Sequence, residues 1–262
     1  MPSGDATMIT GASSGIGAAI ALELASSGDG DKLILVGRNR ERIENIAQRC
    51  RDKGAEVTVV VADLTERVAL FSIVDSLQAT MTIHRLIACA GILDGRRAEA
   101  VVETPQAAAT VLDTNLNATV DLVYRLLPGM LARRNGEIAL VSSLAALSPI
   151  ADAPAYSASK AGMVAFGLAL REAVRGEGLK VTIACPGYVD TAMGGIHKGN
   201  RPHEVAPHIA ATKILKAMRA DRALSGFPFF LYWLARLSVF SPEFIRRLGA
   251  KGLRFHVSSK PD

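Results

Sequence analysis

The chain has 262 residues, of which 49% are hydrophobic and 21% charged, and its net charge is +5. This excludes a disordered chain and suits one large α/β domain with a substantial core. The positive balance favours anionic partners such as phosphorylated cofactors or acidic lipid surfaces; without a long basic run or a recognition motif, nucleic acid is not expected.

In chain order, the first apolar run, Ala6–Thr10, reads as a strand. It enters Thr10-Gly11-Ala12-Ser13-Ser14-Gly15-Ile16-Gly17, a glycine-rich turn that opens a helix over Gly15–Ser27. Such a turn leaves backbone N–H groups unpaired at a helix start and lets a phosphate come close. Its G-x-x-x-G-x-G spacing departs from the general dinucleotide fingerprint. Further strands are expected at Lys32–Val36, Glu56–Ala62, Arg85–Cys89, Glu137–Ser142 and Lys180–Ala184. Helices are expected at Arg40–Lys53, Glu66–Ala79, Pro105–Arg134, Pro154–Gly176 and Glu204–Ala220. Thr104 and Pro105 supply an N-cap and a first helical position. The run Val57-Thr58-Val59-Val60-Val61 has the near-continuous apolarity of a strand buried on both faces. Alternating strands and helices predict a single Rossmann-type, doubly wound parallel sheet with helices on both faces. Gly187–Glu204 reads as a long loop beyond a strand's carboxyl end, where a mobile lid over a site is expected.

Residues 1–225 are expected to hold the cofactor and the catalytic groups, and residues 226–262 to form an apolar and basic helical extension of the same domain. Phe227–Phe240 carries four of the eight phenylalanines and the only tryptophan. Ser241-Pro242-Glu243 reads as a second helix start, followed by Arg246, Arg247, Lys251 and Arg254. One reading is a helical hairpin packed over a substrate cleft or a subunit partner. The other is a membrane-surface contact through residues 227–254. No stretch is long and apolar enough to span a bilayer, and no signal peptide is expected before the first strand. Cys50, Cys89 and Cys185 are far apart without metal-ligand spacing. They read as small buried residues in a reducing, cytoplasmic compartment, and no metal site is expected.

Four residues stand out chemically. Tyr156 and Lys160 are four apart at a helix start and share a face. A tyrosine near pKa 10 exchanges protons poorly at neutrality, and a nearby ammonium would bring it down. Ser143 follows a strand and offers a hydroxyl to polarise a carbonyl. Asn115 falls within a long expected helix, a position that invites a reason for an asparagine.

Taken together, the chain resembles the short-chain dehydrogenase/reductase family, classical type. The carriers are Thr10 to Gly17, Asp63-Leu64, Ala90-Gly91, Asn115, Ser143, Tyr156-x-x-x-Lys160 and Pro186-Gly187-x-Val189-x-Thr191, in the family's order and spacing. The resemblance implies an oxidoreductase that interconverts a carbonyl and an alcohol, with Tyr156 as general acid and base. It implies that Lys160 lowers the Tyr156 pKa and binds the nicotinamide ribose, that Ser143 orients the carbonyl, and that Asn115 positions a relay water. Gly11, Ser13, Ser14, Gly15, Ile16 and Gly17 would shape the cofactor turn. Asp63, Leu64, Ala90 and Gly91 would border the adenosine, and Pro186, Gly187, Val189 and Thr191 the nicotinamide. A homodimer or homotetramer through Pro105–Arg134 and Pro154–Gly176 is also implied.

The coenzyme is read from charge. An acidic residue after the second strand suits NAD, and an arginine suits the 2′-phosphate of NADP. Here Leu35-Val36-Gly37-Arg38 places Arg38 at that end, so NADP is expected over NAD. Two features depart from the family pattern: Ala88-Cys89-Ala90-Gly91 replaces its asparagine pair, and the aromatic and basic ending replaces its glycine-rich one. That ending resembles members acting on apolar or lipid-like substrates, so an apolar ketone or aldehyde is expected. The alternatives are a non-catalytic, redox-sensing NADP-binding protein and a peripheral membrane reductase of a lipid-linked sugar or acyl group.

Overall fold

Seven parallel strands, in the order β3-β2-β1-β4-β5-β6-β8, form the centre of the computed structural model. They are β1 (Asp5–Thr10), β2 (Lys32–Gly37), β3 (Glu56–Val61), β4 (Thr82–Ala88), β5 (Gly136–Val141), β6 (Leu179–Pro186) and β8 (Leu224–Phe227). A separate antiparallel pair joins β7 (His197–Lys198) to β9 (His256–Val257). The structure describes residues 5–28, 32–238, 242 and 255–257. Of the expected helix start at 241–243 only Pro242 is among them, outside any helix or strand, and the basic residues from 246 to 254 lie outside them.

The strand order reverses at β1, so the segments after β1 and β4 part and leave a crevice at the carboxyl edge of the sheet. Successive residues of a strand face opposite sides, and both sides are apolar here. Met8 joins a core with Leu70, Leu122 and Met163; Ile9, its neighbour, joins one with Ile20, Ile43 and Ile214. The first core packs α3 (Arg67–Gln78), α5 (Ala118–Arg133) and α6 (Pro154–Ala173) on one face. The second packs α1 (Gly15–Ser27), α2 (Arg40–Arg51) and α8 (Pro207–Arg219) on the other. Each such large side chain contributes about 1.5–3 kcal/mol on full burial. Gly167 lets α6 sit tightly on the sheet, since a Cβ there would come within 2.6 Å of Ile183 Cγ1. This contact sets the height of the helix that carries Tyr156 and Lys160.

Several expected elements change. The single helix expected over Pro105–Arg134 is α4 (Pro105–Leu112), a π-helical turn at Asp113–Asn117, and α5. Strand β4 begins at Thr82, before the expected Arg85, because Thr82 and Ile83 already pair with Asp5 and Ala6 of β1; Arg85 inside the strand is buried through a 2.7 Å pair with Glu137 on β5. Helix α8 begins at Pro207 rather than Glu204. Val205 bridges Val189, and Ala206, preceding a proline, is held extended at ψ 150°. The expected lid contains a short helix, α7 (Ala192–Gly195), as well as β7. Strand β8 was not expected; residue 225 falls inside it. Helix α9 (Phe229–Ser238) follows.

Candidate active site

The turn after β1 is shaped by close backbone contacts. Gly11 has φ +66°, and a Cβ on it would come within 2.8 Å of Ala90 Cα. A Cβ on Gly17 would come within 2.5 Å of the Gly11 carbonyl oxygen. Only glycine permits this cradle. Ser14 is the N-cap of α1 but makes no side-chain cap, and the first turn holds no acidic residue. The first amides of α1 therefore remain available to an anion. Ser13 lies against Gly37, and Ile16 is half-buried at the start of α1. Thr10 Oγ1 accepts a 3.1 Å bond from Ala90 N, which joins the cradle to the segment after β4.

Arg38, just past β2, is largely exposed, and its Nη1 lies 3.5 Å from Asp63 Oδ2. Burial raises the Asp63 pKa. Hydrogen bonds from Thr65 N and Oγ1, with the Arg38 charge, outweigh that and hold the carboxyl below its ordinary value. Leu64 beside it is buried.

The predicted catalytic side chains converge at the carboxyl end of β5. Ser143 caps a 3₁₀ turn at Leu144–Ala146, its Oγ accepting from Ala145 N at 3.1 Å. Its hydroxyl also acts on the half-buried Tyr156, whose ionised form it favours. Lys160 is buried one turn along α6, its Nζ 5.8 Å from the Tyr156 ring centroid and donating to Val141 O at 3.0 Å. The Lys160 carbonyl accepts from Ser142 Oγ at 2.8 Å, which ties this turn of α6 to β5. Ala90 and Gly91 close the group from the β4 side; a Cβ on Gly91 would lie 3.5 Å from Lys160 Nζ.

The electrostatics correct one expectation. Burial pushes the Tyr156 phenol above its ordinary pKa; the Ser143 hydroxyl opposes this, while Tyr188 and Cys185 add to it. The expected depression by Lys160 does not dominate, because the ammonium lies over the ring and desolvation penalises the phenolate. Lys160 itself is pushed down to about 8 by burial, with Cys89 and Cys185 opposing. Burial pushes Cys89 up to about 12 and Cys185 to about 11, so both are neutral thiols at neutrality. Their spacing in the sequence gave no sign that β4 and β6 would bring them to one ammonium.

Asn115 is fully buried in the π-helical turn. Its Oδ1 accepts from Ile92 N at 2.7 Å; its Nδ2 donates to Ile92 O at 2.9 Å and Ser159 Oγ at 3.2 Å. The side chain thus braces the segment after Gly91 against α6, which explains an asparagine inside a helix.

A family model described as short chain dehydrogenase matches residues 5–200. The chain belongs to the short-chain dehydrogenase family. It is an oxidoreductase. An uncharacterized oxidoreductase of Staphylococcus saprophyticus is 33% identical over 191 residues, 72% of this chain and 80% of the relative. A short-chain dehydrogenase from Sphingobium yanoikuyae, solved in complex with NADPH, superposes with a TM-score of 0.79 at 24% identity, covering 95% of this chain and 96% of that one. A 3-oxoacyl (acyl-carrier-protein) reductase from Agrobacterium tumefaciens with NADP bound gives a TM-score of 0.74 at 25% identity over 85% and 92%.

In this short-chain dehydrogenase the segment after β6 meets the cofactor turn directly. Thr191 caps α7 through Gly194 N at 3.1 Å, and its Cγ2 would lie 3.0 Å from a Cβ on Gly15. Pro186 is buried, Gly187 N donates to Phe227 O at 2.7 Å, and Val189 is buried against Val205. Sequence reasoning missed Phe255 and Val257. They are buried beside Ala153, in an apolar cluster that Tyr156 packs against. No local pattern marks two residues about 100 positions from their partners. Among the described residues no group of His, Cys, Asp and Glu could hold a metal ion.

Proposed function

We propose that the protein is an NADPH-dependent carbonyl reductase, or in reverse an alcohol dehydrogenase, acting on an apolar or amphiphilic substrate. The observation that carries this reading is the convergence on Tyr156 of the Ser143 hydroxyl, which favours the ionised phenol, and the Lys160 ammonium 5.8 Å from the ring centroid. The cradle that side chains at Gly11 and Gly17 would fill, the uncapped start of α1 and the exposed Arg38 fit a phosphorylated dinucleotide.

Gly11, Ser13, Ser14, Gly15, Ile16 and Gly17 would hold the pyrophosphate, and Arg38 the 2′-phosphate. Asp63, Leu64, Ala90 and Gly91 would border the adenosine; Pro186, Gly187, Val189 and Thr191 would border the nicotinamide. When bound, NADPH supplies a hydride to the carbonyl carbon. Ser143 Oγ donates a hydrogen bond to the carbonyl oxygen and holds it at the Tyr156 hydroxyl. Tyr156 Oη gives its proton to that oxygen as the C=O π bond breaks, leaving a phenolate. The Lys160 ammonium stabilises this phenolate, and solvent returns the proton. The raised Tyr156 pKa keeps the acid protonated before reaction, as reduction requires.

The test is Tyr156→Phe. The variant is expected to bind NADPH as the wild type does and to lose nearly all oxidation of NADPH by ketones and aldehydes. Wild-type turnover in that variant removes the assignment. A cofactor-binding protein without turnover is the rival, and four intact groups at one site weigh against it. A membrane-surface contact is favoured by one observation: α9 exposes Phe229, Phe230, Leu234 and Leu237. Among the described residues no helix is long and apolar enough to cross a membrane. Equal flotation of the wild type and a Phe229→Ser/Phe230→Ser variant with anionic liposomes would remove that contact.

A further inference from the structure

Asp152 lies just before α6 and is 1% exposed. Its Oδ1 accepts from Arg96 Nε at 2.5 Å, and its Oδ2 accepts from Phe255 N at 2.9 Å. The backbone repeats the connection: Arg96 N donates to Asp152 O at 2.8 Å, and Val257 N donates to Arg96 O at 3.0 Å. Strand β9 then pairs with β7, Val257 opposite His197 and His256 opposite Lys198. A two-residue ribbon has little stability of its own. Here the buried carboxylate fastens it to the base of the helix that carries Tyr156.

This fastening has a chemical consequence. Phe255 and Val257, 2% and 3% exposed, form an apolar cluster with Ala153. Leu93, Ile150, Ile196 and Tyr156 itself pack against it. Space is tight, since a Cβ on Gly95 would come within 3.3 Å of Val257 Cγ2. The tyrosine therefore packs on an apolar cluster that draws on four places in the chain: the segment after β4, the segment before α6, the loop after β6 and the last described strand.

We propose that Phe255, with Ile196, sets the size and polarity of the substrate group beside the reacting carbonyl, and that Asp152 is the positioning residue that keeps Phe255 there. The inference rests on the carbonyl-reductase reading and narrows it to carbonyl compounds with a compact apolar substituent on that side. A polar substituent there would lose water without gaining a partner. A longer one would have to displace the Phe255 ring, and each methylene gained or lost in such a pocket changes kcat/KM by about tenfold or more.

The experiment uses the full-length protein, NADPH, and methyl ketones and aldehydes of rising chain length. It measures kcat/KM across the series for the wild type, Phe255→Ala and Ile196→Ala, with NADPH affinity as the control for folding. The wild type is expected to prefer shorter chains. Phe255→Ala should shift the preference to longer ones by about tenfold relative to the shortest, at unchanged NADPH affinity, and Ile196→Ala should shift it the same way by less. Asp152→Asn should raise KM severalfold at nearly constant kcat; a role in stability alone would leave KM of the folded protein unchanged. If the wild type turns over the series and both pocket variants superimpose on its profile, the inference is overturned and the reductase reading stands. If Phe255→Ala does not bind NADPH, the Ile196→Ala profile decides in the same way. A wild type that binds NADPH and reduces no member of the series overturns both.

Discussion

Arg38 Nη1 lies 3.5 Å from Asp63 Oδ2, so the ends of β2 and β3 present a cation and an anion side by side. The pair is solvent-accessible and contributes under about 1 kcal/mol to stability. Arg38 is therefore free to exchange one Asp63 oxygen for a 2′-phosphate. Arg38→Asp is expected to weaken NADPH about tenfold to a hundredfold and to leave NADH nearly unchanged. Fluorescence titration with both coenzymes checks this, and equal losses would mean that Arg38 does not meet the phosphate.

Lys160 is expected to govern the alkaline limit of activity. Its pKa is lowered to about 8 by burial, so its charge is present below that value and lost above it. For NADPH, kcat/KM reports the free protein. It is expected to hold on the acid side and to fall as pH rises through about 8. The measurement is a pH profile of kcat/KM for NADPH. A profile flat through that range would show that this charge is not needed.

His84 predicts a pH effect on stability. It is the extra residue where the β1–β4 register shifts, between Ile83 opposite Ala6 and Arg85 opposite Thr7. Burial lowers its pKa from 6.5 and Arg85 lowers it further, against the charges of Asp5 and Glu137. The unfolded chain thus takes up this proton first. Stability should fall as pH drops below about 6.5, and His84→Gln should flatten that slope. Urea unfolding at a series of pH values is the check; an unchanged slope in the variant excludes His84 as its source.

Asp152→Ala removes the acceptor shared by Arg96 and the Phe255 amide. Breaking a buried pair from one side leaves the other charge uncompensated. The expected loss is about 3 kcal/mol in chemical denaturation. A loss under about 1 kcal/mol would place this pair with solvent-screened ones.

Much of the site was legible because its signals are local. The order Gly11, Gly15, Gly17 marks a tight turn, and the structure adds that Gly11 and Gly17 approach other backbone so closely that a side chain there would clash. The spacing of Tyr156 and Lys160 is one helical turn, so a shared face follows from helix geometry. Asn115 was noticed as out of place in a helix, but the reason for it lies in the backbone of Ile92, 23 residues away. The spacing of Tyr156 and Lys160 predicts a depressed Tyr156 pKa, but the ammonium lies over the ring, and the weight of desolvation depends on what else covers it.

The alternation of strands and helices, the parallel sheet, the glycine-rich turn and the shared face of Tyr156 and Lys160 are legible in the chain itself. These follow from periodicity and steric rules acting over a few residues. Long-range packing, by contrast, makes Leu224–Phe227 complete the sheet and brings two thiols near Lys160. It alone set Arg38 beside Asp63 and returned Phe255 to Asp152. Each of these joins distant segments, whose meeting depends on strand order and on how helices seat against the sheet.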